Sequence, residues 1–170
     1  MKVKHLIILI LLGIPVAIQA QERTDVLEKQ LEIIKTSPDN QEALLFVCEH
    51  YLKQGDYSKT VTYAEFLKNQ KSARKNPSVL FNAHLYLGKA QMMSGREKAA
   101  RKNLDAALGL ATQLKNDSLL CTLYGALGEY AANIDADFYQ AIQWIYKGIE
   151  LAQRNRHKQQ YGLLLSQLAN

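Results

Sequence analysis

The sequence predicts an all-α chain, built as a row of repeated helix pairs. Three observations carry that expectation. Small residues recur at one interval: Cys48, Gly88 and Gly128 stand 40 residues apart, as do Gly55 and Gly95, Thr60 and Ala100, and Ala64 and Leu104. A fixed period of about 20–50 residues marks a solenoid, whose units bury their apolar faces only against their neighbours. Composition agrees: 48% of the residues are apolar, prolines number three and glycines nine, and no β-branched run alternates as a strand would. Finally, the stretch 81–114, FNAHLYLGKAQMMSGREKAARKNLDAALGLATQL, spells one complete unit. Leu87-Gly88 lies in a first helix, Gly95 makes a tight turn, and Ala100, Leu104 and Ala107 mark a second helix packed back on the first.

The elements follow in order. Residues 1–20 read as a secretory signal peptide, with Lys2 and Lys4 before an apolar run from Leu6 to Ile18. Only Gly13 and Pro15 interrupt the run, and Ala17 and Ala20 suit cleavage before Gln21. The run is shorter than the about 20 residues that span a bilayer. No cysteine follows it, so a lipid anchor is not expected. The remainder, 21–170, reads as one helical repeat domain.

A lead helix is expected over 23–36, capped by Thr24 or Asp25, carrying Val26, Leu27, Leu31, Ile33 and Ile34, and stopped by Ser37-Pro38-Asp39-Asn40. It should cover the front of the array. Repeats follow at about 41–76, 78–116 and 118–156. After Gly128 the interval grows to 41 through one extra residue in 132–137, so Ala100 matches Ala141, Leu104 matches Ile145 and Ala107 matches Gly148. An incomplete fourth repeat occupies 158–170, where Leu165, Leu168 and Ala169 match Tyr124, Leu127 and Gly128. A solenoid end normally carries a polar cap. This apolar end leads us to expect either chain beyond Asn170 or a partner on that face.

These units resemble tetratricopeptide (TPR) repeats. The first halves read Leu44-x-x-Val47-Cys48-x-x-Tyr51, His84-x-x-Leu87-Gly88-x-x-Gln91 and Tyr124-x-x-Leu127-Gly128-x-x-Ala131. The second halves read Thr60-x-x-x-Ala64, Ala100-x-x-x-Leu104 and Ala141-x-x-x-Ile145. The resemblance covers 41–170 and implies a right-handed α-α superhelix. The family period is about 34 residues, so helices longer by a turn or more are expected here. Gln91 and Ala131 replace the family's tyrosine, and Thr60 replaces an alanine. Long-period arrays of this kind are similar to the periplasmic regions of bacterial sensors and regulators.

Chemistry is sparse. The net charge is +5, and the leader lysines supply two of those charges. Basic and acidic residues alternate along the body, so nucleic-acid binding is not expected. The run from Lys68 to Lys75 reads as a solvated helix end. His50 and His84 lack metal spacing, and His84 stands at a packing position. Asp135 and Asp137 read as helix caps rather than a calcium loop, and Asn116-Asp117-Ser118 as a chance sequon. Cys48 and Cys121 lie two repeats apart. Stacked helices sit about 8–10 Å from their neighbours, beyond the about 7 Å a disulfide tolerates, so two free, buried thiols are expected. Met92-Met93 reads as a core pair. No catalytic, cofactor or metal residue is assigned, and the chain is not expected to be an enzyme.

The resemblance implies a concave groove lined by first helices. Its expected residues are Glu42, Leu45, Glu49, Leu52 and Lys53 in repeat one; Asn82, Leu85, Lys89, Met92 and Met93 in repeat two; and Thr122, Gly125, Glu129, Ala132 and Asn133 in repeat three. The Lys and Asn pair with which chaperone-binding relatives clamp a carboxylate is missing. The ligand expected is a protein or peptide. The function expected is that of the exported N-terminal sensory region of a longer signal-transduction protein, a membrane-bound histidine kinase or a transcriptional regulator. A freestanding periplasmic scaffold, or the non-catalytic part of an enzyme continuing past residue 170, are the alternatives. Membrane contact is expected only through the leader or a segment beyond Asn170.

Overall fold

The structure, a computed structural model, describes residues 25–169. The leader and its cleavage site, Thr24 as a cap and the start of the lead helix lie outside them. The described residues form nine helices and no strand. Helix α1 occupies 25–36. It is followed by α2 (Gln41–Lys53), α3 (Tyr57–Asn69), α4 (Lys71–Arg74), α5 (Pro77–Met93), α6 (Glu97–Leu114), α7 (Asp117–Asn133), α8 (Phe138–Arg154) and α9 (Lys158–Leu168).

Local chemistry sets these boundaries. Asn40, Asp56, Asn76, Asn116 and Asp137 each accept a hydrogen bond from the backbone N–H three residues on, at 2.8–3.4 Å. Such caps satisfy donors that a helix start leaves without partners. Asn116, the sequon asparagine, is thereby a cap, and so is Asp137. Gly55 and Gly95 close the first two hairpins at φ +74° and +71°. There the N–H of Asp56 reaches the Tyr51 carbonyl at 2.9 Å, and that of Arg96 reaches Gln91 at 2.8 Å. The third hairpin holds the inserted residue. It turns at Ala136, φ +51°, and the Asp137 N–H reaches back to the Ala131 carbonyl at 2.9 Å.

Helices pack in adjacent pairs: α2 with α3, α5 with α6, α7 with α8. The second helix of each pair then packs on the first of the next, through α3 on α5, α6 on α7 and α8 on α9. The largest apolar cluster lies between α5, α6 and α7 around Phe81, Leu104, Leu123 and Leu127. Ile34 of the lead helix packs against the cluster of Leu44, Leu67, Ala73, Val79 and Ala83, as expected of a helix at the front.

The two helices of a pair touch where the small residues recur. A Cβ built on Gly88 would stand 2.7 Å from Leu104 Cδ2 and 3.4 Å from the Ala100 carbonyl oxygen. One built on Gly128 would stand 2.8 Å from Ile145 Cγ1 and 3.3 Å from the Ala141 carbonyl oxygen. The two contacts are the same contact one period apart.

Repeat one departs from expectation. Its helices are not lengthened: α2 and α3 have 13 residues each, against 17 in α5, α7 and α8 and 18 in α6. The surplus residues form the short α4, whose Ala73 is fully buried. The basic run therefore spans a break at Gln70, with Lys71, Arg74 and Lys75 exposed around one buried alanine.

Three equivalent positions hold a different lock in each pair. In the first pair Tyr51 stacks on Tyr63, ring centroids 5.7 Å apart. In the third, Tyr124 stacks on Trp144 at 5.5 Å. In the second the same places carry a polar chain. Buried Asn103 donates its amide N–H to Gln91 Oε1 at 2.8 Å and to the Ala99 carbonyl at 3.0 Å. Its Oδ1 is therefore left as an acceptor, 2.8 Å from His84 Nδ1, which must donate. Gln91 thus has a partner in the space of the missing tyrosine.

Two glycines give opposite expectations. Gly88→Ala forces Leu104 aside and should cost about 1–3 kcal/mol from overpacking, less about 1 kcal/mol of helix propensity. Gly109→Ala, in α6 with nothing within 4 Å of the new Cβ, should gain about 0.5–1 kcal/mol. Urea unfolding of both variants beside the parent checks the contrast in sign. In the same assay Asn103→Leu, which strands Gln91 and His84, should cost about 2–3 kcal/mol.

Candidate functional site: a groove lined by one helix of each pair

Helices α2, α5, α7 and α9 present one continuous side, indented by clefts. The first cleft, about 470 Å3, is lined by Glu49, Leu52 and Lys53 of α2, by Asn82, Leu85, Tyr86, Lys89, Met92 and Met93 of α5, and by Thr122 and Glu129 of α7, with Tyr57 at its edge. The second, about 610 Å3, lies where the end of α5 meets α7, α8 and α9. Met92, Met93, Ala132, Asn133, Phe138, Ile142, Ile145 and Leu168 line it. A smaller recess between them brings in Gln160, Leu163 and Gln167 of α9.

Most of the expected groove residues therefore come together. Three do not. Glu42 is exposed and lines neither cleft. Leu45 packs against the core cluster around Leu44 and Leu67. Gly125 lines the smaller recess alone, roofed there by α9: a Cβ on it would meet Gln167 Oε1 at 2.8 Å. The methionine pair is also corrected. Met92 is buried but Met93 is exposed, because adjacent helical residues point about 100° apart and only one can face the core.

Charges on the groove satisfy one another. Lys89 Nζ lies 3.0 Å from Glu129 Oε2, bridging α5 to α7. Glu129 Oε1 accepts a 2.6 Å bond from Gln167 Nε2, carrying the link on to α9. Lys53 pairs with Glu49 at 2.5 Å. Asn82 Nδ2 donates to the Ser78 carbonyl at 3.0 Å. Tyr86 stands between groove and core, where burial, and then the charge of Glu49, push its hydroxyl well above the usual phenol range.

Sequence reasoning missed Tyr57, Tyr86, Phe138, Ile142 and the α9 residues. Phe138 and Ile142 were findable. Their counterparts one period earlier, Glu97 and Arg101, are charged, and a switch from charged to apolar at an equivalent exposed position is a signal. No comparable signal marks Gln167, whose place depends on how α9 lies across α7.

Outside the groove, His50 is half-buried and stacks on Phe46 and against Tyr51. Among the described residues no three His, Cys, Asp or Glu side chains gather as a metal site, and no helix is long and apolar enough to cross a membrane. Cys48 and Cys121 are free and buried. Burial pushes the Cys48 thiol up to about 12. Burial, with a smaller push from the Asp117 charge, takes Cys121 to about 11. Among known proteins, no family model matches the chain, and neither does any curated protein or solved structure.

Thiolate is the reactive form of cysteine. At pH 8 both thiols should therefore resist a disulfide reagent in the native protein and react promptly once it is unfolded in guanidinium, as absorbance of the released thiol will show. The sign for stability follows. Above pH 9 the unfolded chain releases thiol protons that the folded chain keeps, so stability should fall as pH rises from about 9 towards 12. Thermal melts across that range check it.

Proposed function

We propose that this chain is an exported, TPR-like right-handed superhelix that binds a protein or peptide along the groove of its first helices. The leader 1–20 would deliver the repeats to the periplasm. There they would serve as the sensory, N-terminal part of a longer signal-transduction protein anchored in the membrane. The observation that carries the reading is the repeated contact of Gly88 with Leu104 and of Gly128 with Ile145, one period apart. It supports a solenoid whose equivalent helices share one side. On that side lie Glu49, Lys53, Asn82, Lys89, Thr122 and Glu129. Exposed Met93 adds a flexible, polarisable contact suited to varied side chains. The groove holds neither a net charge nor the carboxylate clamp of chaperone-binding relatives, so side chains rather than a charged terminus would supply recognition.

The test is a displayed-peptide selection on the full chain, followed by titration of the selected peptides. Lys89→Glu and Asn82→Ala should each weaken binding about tenfold or more, near 1.4 kcal/mol. Peptides that bind parent and variants alike would overturn the groove assignment. N-terminal sequencing of the protein recovered from a bacterial periplasm should begin at Gln21. Recovery with Met1 intact would remove the leader from the reading.

A further inference from the structure

Tyr86 stands across the boundary between core and groove. It packs against the buried cluster of Cys48, Ala64 and Leu87, and it also lines the cleft of about 470 Å3 between α2, α5 and α7. Among the described residues its hydroxyl has no hydrogen-bond partner. Nor is the hydroxyl sealed off. The side-chain oxygens that have neither a partner nor any exposure are Ser72 Oγ and Gln167 Oε1. The ring of Tyr86 is therefore anchored in the core while its oxygen opens on the cleft. The position has equivalents one period away on each side, Phe46 and Ala126. Neither carries a hydroxyl, so the stacking of the units does not call for one at this place.

We infer that Tyr86 is a specificity-determining residue of this cleft, its hydroxyl donating a hydrogen bond to an uncharged carbonyl oxygen of the bound peptide. The inference rests on the peptide-binding reading above and names one group the ligand must bring. In the free groove solvent serves the hydroxyl, and a peptide lying over α5 excludes that solvent. A ligand with an acceptor at this point replaces one bond by another. A ligand without one strands a shielded donor, so the site discriminates chiefly by what it rejects. Charge decides the kind of acceptor. Burial, and then the negative charge of Glu49, hold the phenol in its protonated form, so it has a proton to donate. The same charge opposes a ligand carboxylate at that point. Lys53 and Lys89, the cations that line the cleft, are already paired with Glu49 and Glu129. A neutral carbonyl accepts without that repulsion. A ligand N–H could bond to the phenol oxygen but would leave the O–H without an acceptor.

The experiment uses the full chain and fluorescein-labelled peptides selected by display on the parent. Tyr86→Phe removes the hydroxyl and keeps the ring. The variant should melt no lower than the parent, because the hydroxyl has no partner in the fold to lose. The affinity of the selected peptides, read by anisotropy, should fall about three- to tenfold, the worth of one uncharged hydrogen bond. Changing each Asn and Gln of a responsive peptide to Ala in turn then finds the source of the carbonyl. If one such change abolishes the difference between parent and variant, a side-chain amide supplies it. If none does, the peptide main chain supplies it. Either result supports the inference.

Equal affinity of parent and Tyr86→Phe for every selected peptide overturns the inference. So does a Tyr86→Phe chain that melts several degrees below the parent, since the hydroxyl would then serve the fold rather than a ligand. If the peptides respond to Lys89→Glu but not to Tyr86→Phe, the groove reading stands and the role of Tyr86 falls. If they respond to neither, both fall.

Discussion

In the second and third pairs the two helices approach one another at a point where a side chain is missing. At Gly88 and Gly128 the facing Leu104 and Ile145 fill the volume a Cβ would need, and the carbonyls of Ala100 and Ala141 lie just behind. Backbones that close can bury a continuous apolar layer with modest side chains, among them Ala100, Ala107 and Ala111. In the first unit Cys48 takes the glycine's place, fully buried in a cluster with Ala64 and Leu87. There the helices are shorter and the residual length is turned into α4. The slightly larger residue and the altered geometry occur together.

How much of this is readable in the amino acids depends on whether the signal is local and repeated. Gly55 and Gly95 announce the hairpins because glycine at a fixed interval, between two helical patterns, supplies the left-handed backbone a tight turn needs. Leu87, Ala100 and Leu104 announce the core because they too recur with the period. The break at Gln70 carries no such mark. Nothing in Lys68–Lys75 forbids helix, and the chain bends there because Ala73 finds a place in the cluster of Leu44, Leu67 and Val79. The groove is half readable. First-helix positions facing it follow from the period, so Glu49, Asn82, Lys89, Met92 and Glu129 fall where the pattern puts them. Gly125 lines only the recess beside α9, because its surroundings are decided by α9, whose lie across α7 is a property of the assembled array. Met93 escapes the pattern because two adjacent methionines look alike in sequence and face different ways on a helix.

The groove's polar groups form a ladder rather than a reservoir of charge. Lys89, Glu129 and Gln167 join α5, α7 and α9, one contact to the next. Both ionic members are about two-thirds shielded from water, so their attraction is less screened than that of an exposed pair. This ladder ties neighbouring units together on the groove side. It also leaves the surface above it electrically quiet, and what distinguishes one end of the groove from the other is apolar shape.

Tandem units of similar build face a hazard during folding, since any second helix could close on the wrong first helix. The residues at the three matching inter-helix positions answer it. Tyr51 expects an aromatic ring, and so does Tyr124, whereas His84 and Gln91 both expect the amide of Asn103. A hairpin that joined a helix of the second pair to one of the first or third would set an amide against a ring, or strand two hydrogen-bonding side chains in a dry interior. The second hairpin thereby recognises its own other half, and its place between two aromatic neighbours is written into that polar match.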